Sequence, residues 1–379
     1  MKIVIAPDSY KESLSALEVA RAIEAGFRAV LPQADYVCIP VADGGEGTVE
    51  AMVAATGGRR VPVTVSGPLG TPVEAFYGMT GDGRTAIIEM AAASGLMWVP
   101  VAARNPLLTS SRGTGELIRA ALDAGVRHLI LGIGGSATND AGAGMLQALG
   151  VRLLDAEGRD LAPGGGALAG LARIDCTGLD ARLAACRIEV ACDVDNPLIG
   201  VRGASAVFGP QKGATPDMVS RLDASLAHFA DIVERDLGVA VATVAGAGAA
   251  GGMGAAMLAF FGASLRPGVD IVTAALGLEA QLIDADLVIT GEGRIDSQTL
   301  RGKTPIGVAR LARRYGKPVI AIAGSVGADA DALYEHGIDA VFGTVPGPCS
   351  LEQALADAAV NVERTARNIA AMLRMGPPR

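Results

Sequence analysis

The stretch KIVIAPDSYKESLSALEVARAIEAGFRAVLPQADYVCIP, residues 2–40, begins and ends with an apolar run. The runs KIVIA and YVCIP have the length and composition of buried strands. Between them, Ser15 and Glu18 have the spacing of a capping box, which predicts the start of a helix. The stretch therefore predicts a strand, a helix and a second strand in succession, as in an α/β sheet.

The C-terminal third repeats this alternation. Its predicted strands and helices, in order, are DLVIT (286–290), a helix through IGVARLARRYG (306–316), PVIAIAG (318–324), a helix through ALYEHG (332–337) and DAVFG (339–343). A final helix is predicted to begin at Ser350, with Gln353 at the capping-box position, and to run toward Met375. Strands that alternate with helices in this way predict a doubly wound parallel sheet.

The middle of the chain has a different pattern. From Val61 onward, short β-like runs follow one another: VPVTV, VEAFYG, RTAIIEM, HLILGIGG and IEVAC. A chain of 379 residues exceeds the usual size of one domain. We interpret residues 61–267 as an α/β domain inserted into a first domain made of residues 1–60 and 268–379, with Arg266-Pro267-Gly268 as the return linker.

Composition limits the class of protein. With 50% hydrophobic and 19% charged residues the chain is globular, and a net charge of -8 argues against a nucleic-acid partner. The five cysteines are scattered without a CxxC pair, which indicates a reducing cytoplasm and no thiolate zinc site. The apolar run at the N-terminus is too short for a signal peptide. We therefore expect a cytoplasmic protein that binds small molecules.

The segment from Leu237 to Leu265 contains no charged residue and is long enough to span a bilayer. Its glycines lower the hydrophobicity and interrupt the pattern of a membrane helix. We expect a buried strand, turn and helix here, and no membrane partner.

Polar and glycine-rich clusters follow the predicted strands. They are PDSYKES (7–13), ADGGEG (42–47), GGSATND (134–140), DVDNP (193–197), GEGRIDS (291–297) and GSVG (324–327). The carboxyl edge of an open α/β sheet is where ligands bind, beside the N-termini of the following helices. One such cluster is commonly a solvated turn, but six at predicted strand ends favour a binding site.

Lysine is rare here, with only Lys2, Lys11, Lys212, Lys303 and Lys317. Three of these lie inside polar clusters, where an ammonium group can neutralise a phosphoryl group or a carboxylate. The alternative is that they are ordinary surface lysines.

The Lys303 position also has a structural interpretation. Thr304 is predicted as an N-cap and Pro305 as the first helical residue, which places Lys303 at the mouth of a helix. The segment is not a Walker A loop, because Ser297 stands where that motif needs glycine.

Two further motifs are less specific. A GxGxxG pattern at Gly246, Gly248 and Gly251 fits dinucleotide binding, but close packing of a glycine-faced helix fits equally well. The DVDN run lacks the ligands of a calcium loop, whereas Asp193 and Asp195 at a strand end suit Mg²⁺ or a general base.

Several segments together resemble the class I glycerate kinase family over essentially the whole chain. They are APDSYKESLSALEVARAI (6–23), VADGGEGTVEAM (41–52), GTGELI (113–118), GIGGSATNDAGAGMLQALG (132–150), CDVDNPLIG (192–200), FGPQKGAT (208–215), GAGAAGGMGAA (246–256) and TGEGRIDSQTLRGKTP (290–305). The resemblance implies ATP-dependent phosphorylation of D-glycerate, usually at the 2-hydroxyl. It also implies a flavodoxin-like domain, a second α/β domain and an active site in the cleft between them.

The roles of individual residues follow from the needs of phosphoryl transfer, which are a metal ion, donors for the phosphoryl oxygens and a base or orienting group. We predict Asp43 and Glu46 as Mg²⁺ or glycerate ligands, and Asp193 as the base. Lys11, Lys212 and Lys303 are predicted to neutralise the phosphates of ATP and the glycerate carboxylate. The remaining predicted substrate or phosphate contacts are Asp8, Ser9, Gly44, Gly45, Gly134, Gly135, Ser136, Asn139, Asp140, Asn196, Gln211, Glu292 and Asp296.

Other functions stay open on the residues alone. Phosphorylation at the 3-hydroxyl is one, a nicotinamide-dependent hydroxy-acid dehydrogenase is another, and a non-catalytic sensor of a small hydroxy acid is a third. The sequence also leaves a homo-oligomer open.

Overall fold

The computed structural model describes residues 1–300 and 302–376. Within them the strands, in chain order, are β1 (Lys2–Ile5), β2 (Asp35–Cys38), β3 (Arg59–Ser66), β4 (Pro72–Met79), β5 (Thr85–Glu89), β6 (His128–Gly132), β7 (Arg152–Leu154), β8 (Arg173–Asp175), β9 (Arg187–Ala191), β10 (Ser264–Arg266), β11 (Leu287–Ile295), β12 (Val319–Val326) and β13 (Ala340–Gly343).

The α-helices of the same residues are α1 (Ala16–Arg28), α2 (Thr48–Thr56), α3 (Ala91–Ser94), α4 (Arg112–Asp123), α5 (Ala143–Ala148), α6 (Ala204–Phe208), α7 (Pro216–Leu237), α8 (Ala249–Phe261), α9 (Gly268–Ala275), α10 (Leu278–Leu282), α11 (Thr304–Arg314), α12 (Leu351–Ala356) and α13 (Ala358–Met375). Short 3₁₀-helices connect several of them.

The chain divides into two compact units. The first consists of Met1–Asp43, Glu50–Gly57 and Pro267–Arg379, and the second of Gly44–Val49 and Gly58–Arg266.

The first unit contains a parallel sheet whose described strands lie in the order β2-β1-β11-β12-β13. Counted along this unit, the order is 2-1-3-4-5, which is that of a flavodoxin-like doubly wound sheet. Ile3, Ile289 and other central strand residues are fully buried, as expected for a sheet covered on both faces. The predicted α/β fold class is confirmed, and the topological switch point lies between β1 and β11.

The predicted start of the first helix is confirmed in detail. The Ser15 hydroxyl accepts a hydrogen bond from the Glu18 amide at 3.3 Å, and the Glu18 carboxylate accepts one from the Ser15 amide at 2.8 Å. This reciprocal pair is a capping box, and it fixes the position at which the chain turns from β1 into α1.

Two helix predictions for the C-terminal third are corrected. Residues 332–336 of the segment 332–337 belong to a 3₁₀-helix, Ala330–His336, and Gly337 is its C-cap. The final helix is two helices, α12 and α13, which meet at Asp357. The backbone amide of Gln353 donates to the Ser350 hydroxyl. The side-chain amide of Gln353 donates to the Asp357 carboxylate instead of bonding to the backbone of Ser350. The capping box predicted there is therefore only half formed.

The second unit contains a mixed sheet. Its described strands lie in the order β10-β9-β6-β5-β4-β3, with β5, β6, β9 and β10 parallel and the β3-β4-β5 pairs antiparallel. Strands β7 and β8 form a separate antiparallel pair. The core between this sheet and its helices includes the fully buried Leu129, Leu131 and Val190.

The charge-free segment from Leu237 to Leu265 differs from its predicted order of strand, turn and helix. It forms turns through residue 248, then α8, and then enters the short strand β10. Within α8, positive φ angles at residues 250–252 produce a kink. Within residues 1–300 and 302–376, no helix is both long and apolar enough to cross a membrane.

Candidate active site

Asp8 lies at the carboxyl end of β1, beside the switch point of the first unit. Its Oδ2 accepts a hydrogen bond from the Thr304 hydroxyl at 2.6 Å, and its Oδ1 accepts one from the Ser9 amide at 2.7 Å. Burial is the larger cause and the negative charge of Asp43 the second of a rise in the pKa of Asp8 to about 7. Asp8 is therefore an acid held in a fixed direction at the edge where an open α/β sheet binds its ligand.

Glu292, in β11, is the second acid at this edge and is 8% exposed. One carboxylate oxygen accepts from the Thr299 hydroxyl at 2.7 Å, and the other accepts from the Lys303 ammonium at 2.8 Å. Burial raises the pKa of Glu292, and the hydrogen bonds from Lys303 and Thr299 oppose that rise. The structure thus brings Asp8, Glu292 and Lys303 together in the first unit, as the sequence clusters suggested.

The start of α11 differs by one residue from the prediction. Lys303 is the N-cap, Thr304 is the first helical residue and Pro305 is the second. Because Thr304 does not cap the helix, its hydroxyl is available to bind Asp8. The neighbouring Arg301, part of the same sequence motif, lies outside the described residues.

The other predicted residues of the first unit have different environments. Asp296 is 9% exposed and accepts from the Gln298 amide and the Arg294 guanidinium, so in this structure it serves a local turn. Lys11 is exposed, and Ser9 is half-buried beside Asp8.

Asp43 is half-buried and close enough to Asp8 for its charge to act on that carboxyl. Glu46 is exposed and belongs to the segment Gly44–Val49 of the second unit. There the Val49 amide donates to the Glu89 carboxylate at 2.8 Å.

The described part of the chain contains no group of three or more His, Cys, Asp or Glu side chains arranged to hold a metal ion. Mg²⁺ in nucleotide sites usually needs only one or two carboxylates and takes its other ligands from phosphates and water. The carboxylates of Asp8, Asp43 and Glu292 therefore have the right donor chemistry for a magnesium-nucleotide complex.

In the second unit, the cluster GGSATND follows β6 directly. Gly134 and Gly135 are exposed at the tip of a turn, whereas residues 136–140 are buried. Two backbone hydrogen bonds hold this turn: the Leu96 amide donates to the Gly135 carbonyl, and the Ala137 amide donates to the Ser94 carbonyl. The tip is the exposed part of this turn.

Asn139 and Asp140 were predicted as ligand contacts, but the structure places both in the interior with no exposed surface. Asp140 accepts hydrogen bonds from the Ser111 amide and hydroxyl and from the amides of Gly142 and Gly144. Burial raises the pKa of Asp140, while these donors oppose that rise. Asp140 thus joins the start of α5 to that of α4, a contact which the sequence did not reveal because Ser111 is 29 residues away.

Lys212, which was predicted to neutralise the phosphates or the glycerate carboxylate, lies in the interior and is 1% exposed. Its ammonium donates to the Ser136 hydroxyl at 2.7 Å and to the Thr138 carbonyl at 2.6 Å. Burial lowers the pKa of Lys212 to about 7, and the charge of Asp140 opposes this.

The other predicted residues of the second unit lie on loops. Asp193 follows β9 and is exposed, and Gln211 is exposed next to Lys212. The Asn196 side chain donates to the Arg202 carbonyl, and Asp195 forms an ion pair with the same arginine.

The GxGxxG pattern serves close packing. A Cβ atom at Gly248 would lie 2.1 Å from the Pro197 carbonyl oxygen, and one at Gly251 would lie 2.0 Å from that of Thr138. The residues before it form turns rather than a strand, so the strand-turn-helix context of a dinucleotide site is missing.

Sequence reasoning missed two side chains that bind the predicted acids, the hydroxyls of Thr299 and Thr304. Both lie in the segment 290–305, whose acids and lysine were recognised, and both threonines are fully buried. In the sequence each threonine is only a hydroxyl beside a predicted charged cluster. That pattern is too common to predict a hydrogen bond to one of the acids.

Comparisons with known proteins identify the family of the chain. The model of the Glycerate kinase family matches residues 3–374. Glycerate kinase from Bacillus subtilis (strain 168) is 63% identical, with 99% of this chain and 98% of the relative covered. Glycerate 2-kinase from Escherichia coli (strain K12) is 60% identical, with 99% of each chain covered.

A solved structure is similar over the same extent. The crystal structure of a candidate glycerate kinase 2 from Salmonella typhimurium LT2 superposes with a TM-score of 0.93 at 67% sequence identity and covers 99% of each chain. Matches of this length and identity decide against the dehydrogenase and the sensor. The chain belongs to the glycerate kinase family, and it is an enzyme that transfers a phosphoryl group to an alcohol group of glycerate.

Proposed function

We propose that the protein transfers the γ-phosphoryl group of ATP to the 2-hydroxyl of D-glycerate, giving 2-phosphoglycerate and ADP. The position of transfer is supported by the Escherichia coli relative, which is named a glycerate 2-kinase and is similar over nearly the whole chain.

The observation that carries the proposal is the group formed by Asp8, Glu292, Lys303 and Thr304 at the switch point of the first unit. Phosphoryl transfer needs a cation and hydrogen-bond donors around the phosphates, together with a group that orients the attacking hydroxyl. This group offers carboxylates for a cation and an ammonium for phosphate oxygens. Its location at a strand edge next to a helix N-terminus suits an anionic ligand.

Mg²⁺, when bound with ATP, would supply positive charge that neutralises the phosphate oxygens. Asp43 and Glu46 are the carboxylates that we propose as its ligands, and Asp8 offers a further oxygen donor. Gly44 and Gly45, between them, would let the backbone approach the phosphates closely.

For the attacking hydroxyl we propose Asp193 as the group that orients or deprotonates it. Asp193 is exposed at the end of β9, where a substrate has access to it. Lys11, also exposed, and Lys303 would neutralise the phosphates and the glycerate carboxylate.

Product analysis tests the proposal directly. The protein is incubated with Mg-ATP and D-glycerate labelled with ¹³C at C2, and the product is examined by ³¹P and ¹³C NMR. We expect a phosphorus coupling to the labelled carbon that is typical of a phosphate ester at C2, with one ADP formed per ester. An ester at C3 would refute the regiochemistry, and turnover with another nucleoside triphosphate but not with ATP would refute the nucleotide.

A further inference from the structure

We propose that Lys212 is a positioning residue which turns the Ser136 hydroxyl into a fixed donor, directed outward to an anionic ligand at the exposed 134–135 turn. This inference rests on the proposed function, because it takes that turn as a contact for the glycerate carboxylate or a phosphoryl oxygen. It adds a role for two buried groups that the proposed function leaves unused.

The two contacts of the Lys212 ammonium carry the argument. A carbonyl oxygen only accepts, so the amino group must donate to the Thr138 carbonyl, at 2.6 Å. A protonated amino group has no lone pair, so the Ser136 oxygen must accept its second hydrogen bond, at 2.7 Å. The hydroxyl proton of Ser136 is then directed away from Lys212.

The environment of Ser136 leaves that proton available. Among residues 1–300 and 302–376, Lys212 is the hydrogen-bond partner found for the Ser136 hydroxyl. Ser136 is 7% exposed and directly follows the exposed Gly134 and Gly135. A hydroxyl that accepts a hydrogen bond from an ammonium is polarised and is a good donor to an anion that reaches it.

Lys212 itself stays inside. It ends the 3₁₀-helix Pro210–Lys212 and is 1% exposed, so it acts on the ligand through Ser136 rather than by contact. The charged groups that pack around it are Asp140 and Arg104, the latter through its hydrogen bond to the Gln211 carbonyl.

Protonation of Lys212 should therefore control the direction of the Ser136 hydroxyl. A neutral amine has two donors and one lone pair, so it can still donate to Thr138 and accept the proton of Ser136. The hydroxyl then points inward and no longer serves a ligand. Because burial lowers the pKa of Lys212 to about 7, this change falls within the range of ordinary assays.

A double-mutant cycle tests the coupling. Lys212→Met, Ser136→Ala and the double variant are compared with the wild type in kcat/KM for glycerate. Each single change should lower kcat/KM by about 10- to 100-fold, the usual effect of one hydrogen bond to a charged group. The double variant should be no worse than Ser136→Ala alone, since both changes remove the same donor. Losses that multiply in the double variant would refute the proposal.

A control separates positioning from loss of stability. Leu226→Ala creates a cavity in α7 of the same unit, at a fully buried residue outside the loop. It should lower the melting temperature yet leave kcat/KM unchanged well below that temperature. If Leu226→Ala and Lys212→Met, matched for stability, lose kcat/KM equally, Lys212 has no positioning role.

The pH profile gives a readout that does not need Lys212→Met to fold. The wild type should lose kcat/KM as pH rises through the pKa of Lys212, and Ser136→Ala should lack this alkaline limb. An unchanged limb in Ser136→Ala would overturn the inference. The chain has only five lysines, so ¹⁵N NMR of their amino groups can follow Lys212 itself, which should titrate near the limb.

These outcomes remain distinct from the proposed function. A wild-type product phosphorylated at C3 would refute the proposed regiochemistry, while the cycle and the pH profile would still report on the Lys212–Ser136 pair.

Discussion

The Glu292–Lys303 ion pair gives the sharpest test of the first unit. Lys303→Met keeps an apolar side chain of similar length but removes the ammonium at 2.8 Å from Glu292. Loss of one partner from a fully buried pair costs about 3–5 kcal/mol. The Lys303 side chain is 34% exposed, so solvent screens the pair, and we expect a loss of about 1–2 kcal/mol in the free energy of unfolding.

The loss should depend on pH with a definite sign. Burial already raises the pKa of Glu292, and removing Lys303 raises it further. Between the unfolded and the folded pKa the native state binds more protons, so the free energy of unfolding falls as pH rises. The difference between wild type and variant should therefore be larger at about pH 8 than at about pH 5.

Urea denaturation followed by far-UV circular dichroism, together with hydrogen exchange of β11, measures the effect. Fluorescence is unsuitable, because the single tryptophan, Trp98, lies in the second unit. Lys317→Met, also in the first unit, is the matched control. If Lys303→Met is as stable as Lys317→Met at about pH 8, or loses more at about pH 5, the reasoning is wrong. We also expect the turnover of Lys303→Met to fall. Unchanged turnover would show that Lys303 does not take part in catalysis.

Four further outcomes are expected. Asp193→Asn should lower turnover by roughly 10²–10⁴ with little change in Mg-ATP affinity, and a parallel loss of affinity, partly rescued by Mg²⁺, would indicate a metal ligand instead. As pH rises toward about 7, the free energy of unfolding of Asp8→Asn should increase relative to that of the wild type. The raised pKa of Asp8 makes the native wild type bind an extra proton in that range, so the wild type loses stability there and the variant does not. Urea titrations at several pH values measure the difference. Thr304→Val should raise the pKa of Asp8 further, which carboxyl ¹³C NMR detects, and an unchanged pKa would show that the hydroxyl does not stabilise the charged form. Gly251→Ala should destabilise the second unit by about 1–3 kcal/mol in thermal unfolding, since its φ is +66° and its Cβ would clash with the Thr138 carbonyl.

Features that depend on the local order of residues along the chain could be predicted before the fold was known. The capping box at Ser15 and Glu18 needs only near neighbours, and it is present as predicted. The alternation of strands and helices is also local, and it differs from the prediction at the 3₁₀-helix Ala330–His336 and at the divided final helix. The clusters after β1 and β11 could be placed at one sheet edge because parallel strands end on the same side. The family was also recognisable from contiguous motifs.

Packing between distant segments determines which polar residues of those clusters are buried and which stay partly open. Asp140 and Lys212 have the same sequence character as Asp8 and Lys303, yet long-range partners bury the first pair, while Asp8 and Lys303 stay partly open. Ser136 and Lys212 are 76 residues apart, and no periodicity connects them. Burial and the direction of a hydrogen bond depend on packing between distant segments, so only the folded chain fixes them.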